Sequence, residues 1–196
     1  MDISTPEVSN KTDKRNELIQ RAFSLFYEQG FHATGVDTVL SGTGISKRTL
    51  YKYFSSKEEL IVSAIQYYHQ TNLQLIDKFI AESGASSPQE KILALFDFLA
   101  ERVNRGDFRG CLVINAKAEY AQTVPDISSS CKGYTDAIEG LLQVFLLETG
   151  LKNTPAISKQ IGILFSGSVE HCKLVGNAQP VFLAKEVVGM ILKAAE

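Results

Sequence analysis

A chain of 196 residues that is 44% apolar is long enough to bury a sizeable core, and its formal net charge of -2 argues against general coating of nucleic acid or of an anionic membrane. No apolar run approaches the roughly 18 residues that a membrane-spanning helix needs, and the opening MDISTPEVSNKTDKRNE lacks the apolar centre of a signal peptide, so a cytoplasmic protein is expected. The three cysteines, Cys111, Cys131 and Cys172, are odd in number and widely separated, with neither CxxC nor paired-histidine spacing; thiols are expected, with no disulfide framework, metal or cofactor.

Nearly every segment reads with helical period and none alternates as a strand would, which predicts an all-α fold of about nine helices. Residues 1–12 form a polar arm. Leu18, Ile19, Ala22, Phe23 and Phe26 then line one face of a helix that stops at Gly30, and two short helical pieces follow. Ser56 and Glu59 have capping-box spacing and open a long helix that ends near Gly84. Ser87-Pro88-Gln89-Glu90 repeats the start signal ahead of a stripe of Ile92, Leu95, Phe96, Leu99 and Val103. Helices are expected from Gly110 to Gln122 and from about Ile127 to Glu148. Thr154-Pro155 starts another, with Ile157, Ile161, Leu164, Phe165 and Ser168 on one face, and Pro180 starts the last, with Leu183, Val187, Met190 and Ile191. These last stripes are broad enough for either an intramolecular core or a subunit interface.

The charge is distributed unevenly. Residues 1–60 hold eight Lys/Arg against eight Asp/Glu, yet four cations fall between Lys47 and Lys57 with no acid among them and with Tyr51, Tyr53 and Phe54 interleaved. Val36, Val39 and Leu40 share one helical face, Gly44 suits a tight turn, and Ile45 and Leu50 can close a small core, which is helix-turn-helix spacing. Ser46 is a sound N-cap for the second helix, leaving Lys47, Arg48 and Thr49 in its first turn, where a recognition helix meets base edges in the major groove. Arg and Lys can donate to guanine O6 and N7, and Thr49 can touch a thymine methyl. Tyr51, Tyr53 and Lys57, further along, suit phosphate oxygens, which fix register. Outside such a pattern a basic run is more often a solvated face.

Residues 15–62, from RNELIQRAFSLFYEQGF through TGVDTVLSGTGISKRTLYKYFSSKEELIV, resemble the DNA-binding domain of the TetR family of bacterial transcriptional repressors. The characteristic T-x-V-x-x-V/I, A-G-V-S-x-x-T-L-Y-x-Y/H-F and x-x-K-x-x-L occur in order. Thr43 replaces the usual alanine before the turn glycine, and Gly35 stands where Thr or Ser often caps the second helix. The resemblance implies base-facing Lys47, Arg48, Thr49 and Lys52, and phosphate-facing Tyr51, Tyr53 and Lys57, with the cap Ser46 beside them. It also implies an inverted-repeat duplex as partner, a homodimer formed through the last two helices, and a variable C-terminal domain for small ligands. The expected division is an arm at 1–12, a DNA-binding domain at 13–56 and a sensing and dimerisation domain at 57–196.

RGCLVINAKAEY, residues 109–120, resembles a segment of one branch of that family, with the Gly-Cys pair, Asn115 and Glu119 in matching places. If Gly110 opens a helix, Cys111 lies in its first turn beside Arg109, and both the helix N-terminus and the cation favour thiolate, which makes Cys111 a candidate redox sensor. The competing reading is a buried, inert thiol; Cys131 and Cys172 have weaker cases. Tyr67, Phe96, Asn115, Glu119, Tyr120, Phe145 and Phe165 are candidates for an organic effector pocket, or for plain core. Two rival functions are an enzyme using Cys111 with His69 or His171 as base, for which no catalytic spacing exists, and a helical scaffold whose basic end binds an acidic protein.

Overall fold

The computed structural model describes residues 7–120 and 123–195, with side chains from Asp13 onward. Among these the chain forms nine helices and no strand: α1 Glu7–Gln29, α2 Val36–Leu40, α3 Lys47–Tyr53, α4 Lys57–Glu82, α5 Pro88–Asn104, α6 Leu112–Tyr120, α7 Pro125–Glu148, α8 Thr154–Val175 and α9 Gln179–Ala194. The all-α expectation and the helix number agree with this. Of the arm expected at 1–12, residues 7–12 are already helical backbone, and residues 1–6 lie outside the described residues, as does the expected helix end at Gln122.

Packing divides the chain into two compact units. The first contains the residues up to Gln70 together with Leu112–Cys131, and the second contains Thr71–Cys111 and the residues from Lys132 on. The first part of α4, all of α6 and the start of α7 thus pack with α1, α2 and α3.

In the first unit the face of α1 read from periodicity is the one buried. Leu18, Ala22 and Phe26 are inaccessible or nearly so, as are Phe31, Val39, Leu50, Phe54 and Leu60, and the Phe26 and Phe31 rings stack. Full burial of such side chains stabilises by about 1.5–3 kcal/mol each, enough to fix the two short helices α2 and α3, which would not hold alone. Leu18, Ile19 and Phe26 thus anchor a small core directly beneath α2 and α3.

In the second unit α5, α8 and α9 pack on one another. Ser87 and Glu90 form a complete capping box at the start of α5, as their spacing predicts. Phe96 is fully buried and meets Phe165 edge to face at 5.4 Å between ring centres. On α9 the buried residues are Val181, Ala184, Val188 and Leu192. Leu183, Val187 and Met190, assigned to one stripe from the sequence, instead point outward, with Met190 66% exposed. The helix is apolar over more of its circumference than its own chain covers.

Candidate nucleic-acid interface

The helix-turn-helix is built from the C-terminus of α1 onward. Gly30 takes φ +86° beyond α1 and donates its N–H to the Phe26 carbonyl at 3.0 Å, ending the helix. Thr34, buried, donates its hydroxyl back to the Gly30 carbonyl at 2.8 Å. At α2 the N-cap Gly35 supplies no side-chain bond. The other end of α2 is held from α1, where Arg21 donates Nε to the Val39 carbonyl at 2.8 Å and Nη2 to the Ser41 carbonyl. Helix C-termini leave carbonyls without partners, and the guanidinium takes two of these acceptors across a sequence separation that no local pattern reveals.

The turn between α2 and α3 is stapled by Thr43, whose hydroxyl donates to the Leu40 carbonyl at 2.8 Å and accepts from Ile45 N–H at 3.0 Å. An alanine could make neither bond. Gly44 follows at φ +67°, the left-handed conformation that the turn needs. Ser46 caps α3: its Oγ accepts from Thr49 N–H at 3.1 Å and shares a further bond with the Thr49 hydroxyl at 2.9 Å. The Thr49 hydroxyl is therefore already engaged.

On α3, Leu50 and the C-cap Phe54 face the core, and Arg15 lies 5.2 Å over the Phe54 ring. Residues 47 and 51 stand one turn apart, as do 48 and 52, so Lys47, Arg48, Tyr51 and Lys52 form one exposed face. Tyr53 is half-buried. The Lys47 ammonium contacts both carboxylate oxygens of Asp37 at 3.0 Å, and that hydrogen bond, followed by the carboxylate's charge, raises its pKa. Lys57, at the start of α4, donates to the Phe31 carbonyl at 2.7 Å. Glu59 accepts from Ser55 N–H and Ser55 hydroxyl at 2.6 Å each, and these bonds lower its pKa; Ser56 Oγ takes Glu59 N–H at 3.2 Å.

The effector candidates fall in different places. Tyr67, Asn115, Glu119 and Tyr120 belong to the first unit, and Phe96, Phe145 and Phe165 to the second. Tyr67 meets Phe23 edge to face at 5.5 Å and lines a cleft of about 340 Å³ with Arg15, Asn16, Ser63 and Gln66. The Glu119 carboxylate is bonded to the Phe31 and His32 amides, and Tyr120, whose pKa is raised by burial and then by the charges of Glu58 and Glu119, stacks on His32. Lys91 lies 5.7 Å from the Phe145 ring centre.

All three cysteines are buried. Gly110 has φ +86°, outside the helical region, so α6 opens at Leu112 and Cys111 precedes the helix instead of lying in its first turn. Cys131 Sγ is 3.6 Å from the Val113 carbonyl, and burial pushes the Cys172 thiol up despite a bond from the Val181 backbone. Among the described residues no helix is long and apolar enough to cross a membrane, and no His, Cys, Asp and Glu group could hold a metal ion.

The profile of bacterial regulatory proteins, tetR family, matches residues 18–64, which covers the end of α1 through the start of α4. The uncharacterized HTH-type transcriptional regulator YxaF of Bacillus subtilis is 28% identical over 192 residues, 95% of this chain and 98% of that one. The HTH-type transcriptional repressor NemR of Escherichia coli is 28% identical over 143 residues, 72% of this chain and 70% of that one. The fold matches the crystal structure of the reduced form of NemR with a TM-score of 0.77 at 21% identity, covering 90% and 95% of the two chains. It matches SCO4454, a TetR-family regulator from Streptomyces coelicolor, with a TM-score of 0.81 at 19% identity, covering 94% and 96%. Motif, helix-turn-helix geometry and full-length likeness converge: residues 18–64 form a DNA-binding domain of the tetR type, and over its length the chain is similar to HTH-type transcriptional regulators with that fold.

Proposed function

We propose that this regulator is a homodimeric repressor that grips an inverted-repeat operator with α3 and releases it when an effector acts on the segment 57–196. The observation that carries the reading is the exposed face of Lys47, Arg48, Tyr51 and Lys52 on a helix whose opposite side, Leu50 and Phe54, is locked in the core. Lys47, Arg48, Thr49 and Lys52 read bases; Ser46, Tyr51, Tyr53 and Lys57 contact phosphates. The outward Leu183, Val187 and Met190 of α9 and Ile163 and Leu174 of α8 supply an apolar face suited to a twofold interface.

Two effector classes fit this reading, a small organic ligand and an oxidant or electrophile acting on Cys111. Support for the second comes from a relative: NemR has been crystallised in a form described as reduced. Enlarging or ionising a side chain that is 8% exposed would disturb its surroundings. Retardation of the duplex upstream of the gene tests both halves. Native protein should shift that duplex and not a scrambled one. Mild peroxide or N-ethylmaleimide should abolish the shift in native protein but not in Cys111→Ser; release of both proteins alike would remove Cys111 from the account.

A further inference from the structure

We infer that Glu119, on α6, is a positioning residue for operator binding: its carboxylate clamps the Phe31–His32 corner whose carbonyl holds Lys57, so α6 sets the arrangement in which the reading head meets DNA. This rests on the proposed role of Lys57 at phosphate.

The corner follows the end of α1, and the N–H groups of Phe31 and His32 lie beyond the helix, where solvent would ordinarily satisfy them. Here Glu119 Oε1 accepts from Phe31 N–H at 2.9 Å and Oε2 accepts from His32 N–H at 2.7 Å. Two adjacent donors matched to the two oxygens of one carboxylate form a charge-assisted, bidentate contact, stronger and more directional than a neutral pair. The grip is reciprocal. His32 Nε2 lies 3.0 Å from the Glu119 backbone oxygen, and the Tyr120 ring stacks on His32 at 4.8 Å and meets Phe31 edge on at 6.2 Å. A Cβ at Gly30 would sit 3.2 Å from Glu119 Oε1, so the glycine both turns the chain and makes room for the carboxylate.

Phe31 links this contact to the DNA side. Its amide is bound to Glu119 and its carbonyl to Lys57 Nζ at 2.7 Å, while its ring is buried and stacked on Phe26 at 5.0 Å in the core beneath the reading head. A shift of α6 that withdraws Glu119 removes two bonds from the corner and frees the carbonyl that steers the Lys57 ammonium. No other carboxylate bond to these two amides exists among the described residues.

The test uses full-length protein and three measurements: operator affinity across salt concentrations, amide exchange at Phe31 and His32, and the thermal midpoint. Glu119→Gln keeps the size but turns one acceptor into a donor facing an N–H. It should weaken operator binding about tenfold, as expected for the loss of a charged hydrogen bond, and flatten the salt slope by about one, with sequence preference retained. His32→Ala, which leaves both amides on the carboxylate, should lose less in the same direction. Exchange at both amides should be slow in native protein and fast in Glu119→Gln, whose thermal midpoint should fall by only several degrees, about 2–4 °C for each kcal/mol lost. Equal affinity and slope in native protein and Glu119→Gln would overturn the inference, as would unprotected amides in native protein. Failure of native protein to select any duplex, with the amides protected, would overturn the operator reading itself and with it the role of this clamp.

Discussion

Lys47, at the start of α3, holds its ammonium 3.0 Å from both carboxylate oxygens of Asp37, in the first turn of α2. The two groups are exposed, with 54% and 79% of their side chains accessible, so the pair adds little to folding; on the proposed reading its importance lies in what it does to DNA. The acid neutralises one cation of the reading face and would repel approaching phosphates.

Asp37→Asn should therefore tighten binding to operator and to scrambled duplex alike, by several-fold at low salt and less as salt screens the charge. The thermal midpoint should scarcely move. Because Asp37 raises the pKa of Lys47, the native pair persists throughout the neutral range and the effect should not depend on pH there. Fluorescence anisotropy with both duplexes checks this, and unchanged affinity would place Asp37 away from the DNA.

The capping box of α5 predicts a pH dependence of stability. Backbone N–H groups of Ser87 and Ser86, and then their hydroxyls, hold the Glu90 carboxyl at about 2 against an ordinary 4.5. A carboxyl depressed in the folded state stabilises fully above its ordinary value, and that contribution is lost as pH falls through the folded one. Glu90→Gln should melt lower than native protein at pH 7, and the gap between the two midpoints should shrink between about pH 4.5 and 2. A gap independent of pH would mean that the charge of Glu90 contributes nothing to the cap.

The outward face of α9 yields a prediction about assembly. Met190→Asp and Leu183→Asp alter residues that are 66% and 56% exposed in the single chain, so the monomer should fold normally. In a twofold interface each would bury an unpaired charge, costing several kcal/mol and weakening association at least a hundredfold. Sedimentation should show monomers with poor operator affinity. Phe165→Asp is a worse probe, because Phe165 packs on the buried Phe96 and the fold itself would suffer. Dimers that persist in both α9 variants would move the interface elsewhere.

Much of the reading head was legible because its signals are local. Ser46 and Thr49 stand three residues apart, Ser87 and Glu90 likewise, and the face of Leu18, Ala22 and Phe26 repeats with the helix. What the sequence concealed depends on distance. Arg21 holds α2 from 18 and 20 residues away, and Glu119, placed among pocket candidates for its polarity, binds amides 87 and 88 residues back. Cys111 was misplaced by one conformational choice, the positive φ of Gly110, which composition does not announce. On α9 periodicity showed an apolar helix, but only the packing of Val181, Ala184, Val188 and Leu192 against its own chain revealed which face is left over.

The most direct test of the central claim is selection by native protein from a pool of random duplexes, with Arg48→Ala carried through in parallel. The account predicts that native protein enriches an inverted repeat with half-sites about one helical turn, or a multiple of it, apart. Arg48→Ala should enrich the same repeat with preference relaxed at one position of each half-site, by about 1–3 kcal/mol of discrimination. Enrichment of no repeat by native protein, or of an identical motif by both proteins, would contradict the assignment of α3 as the element that reads DNA.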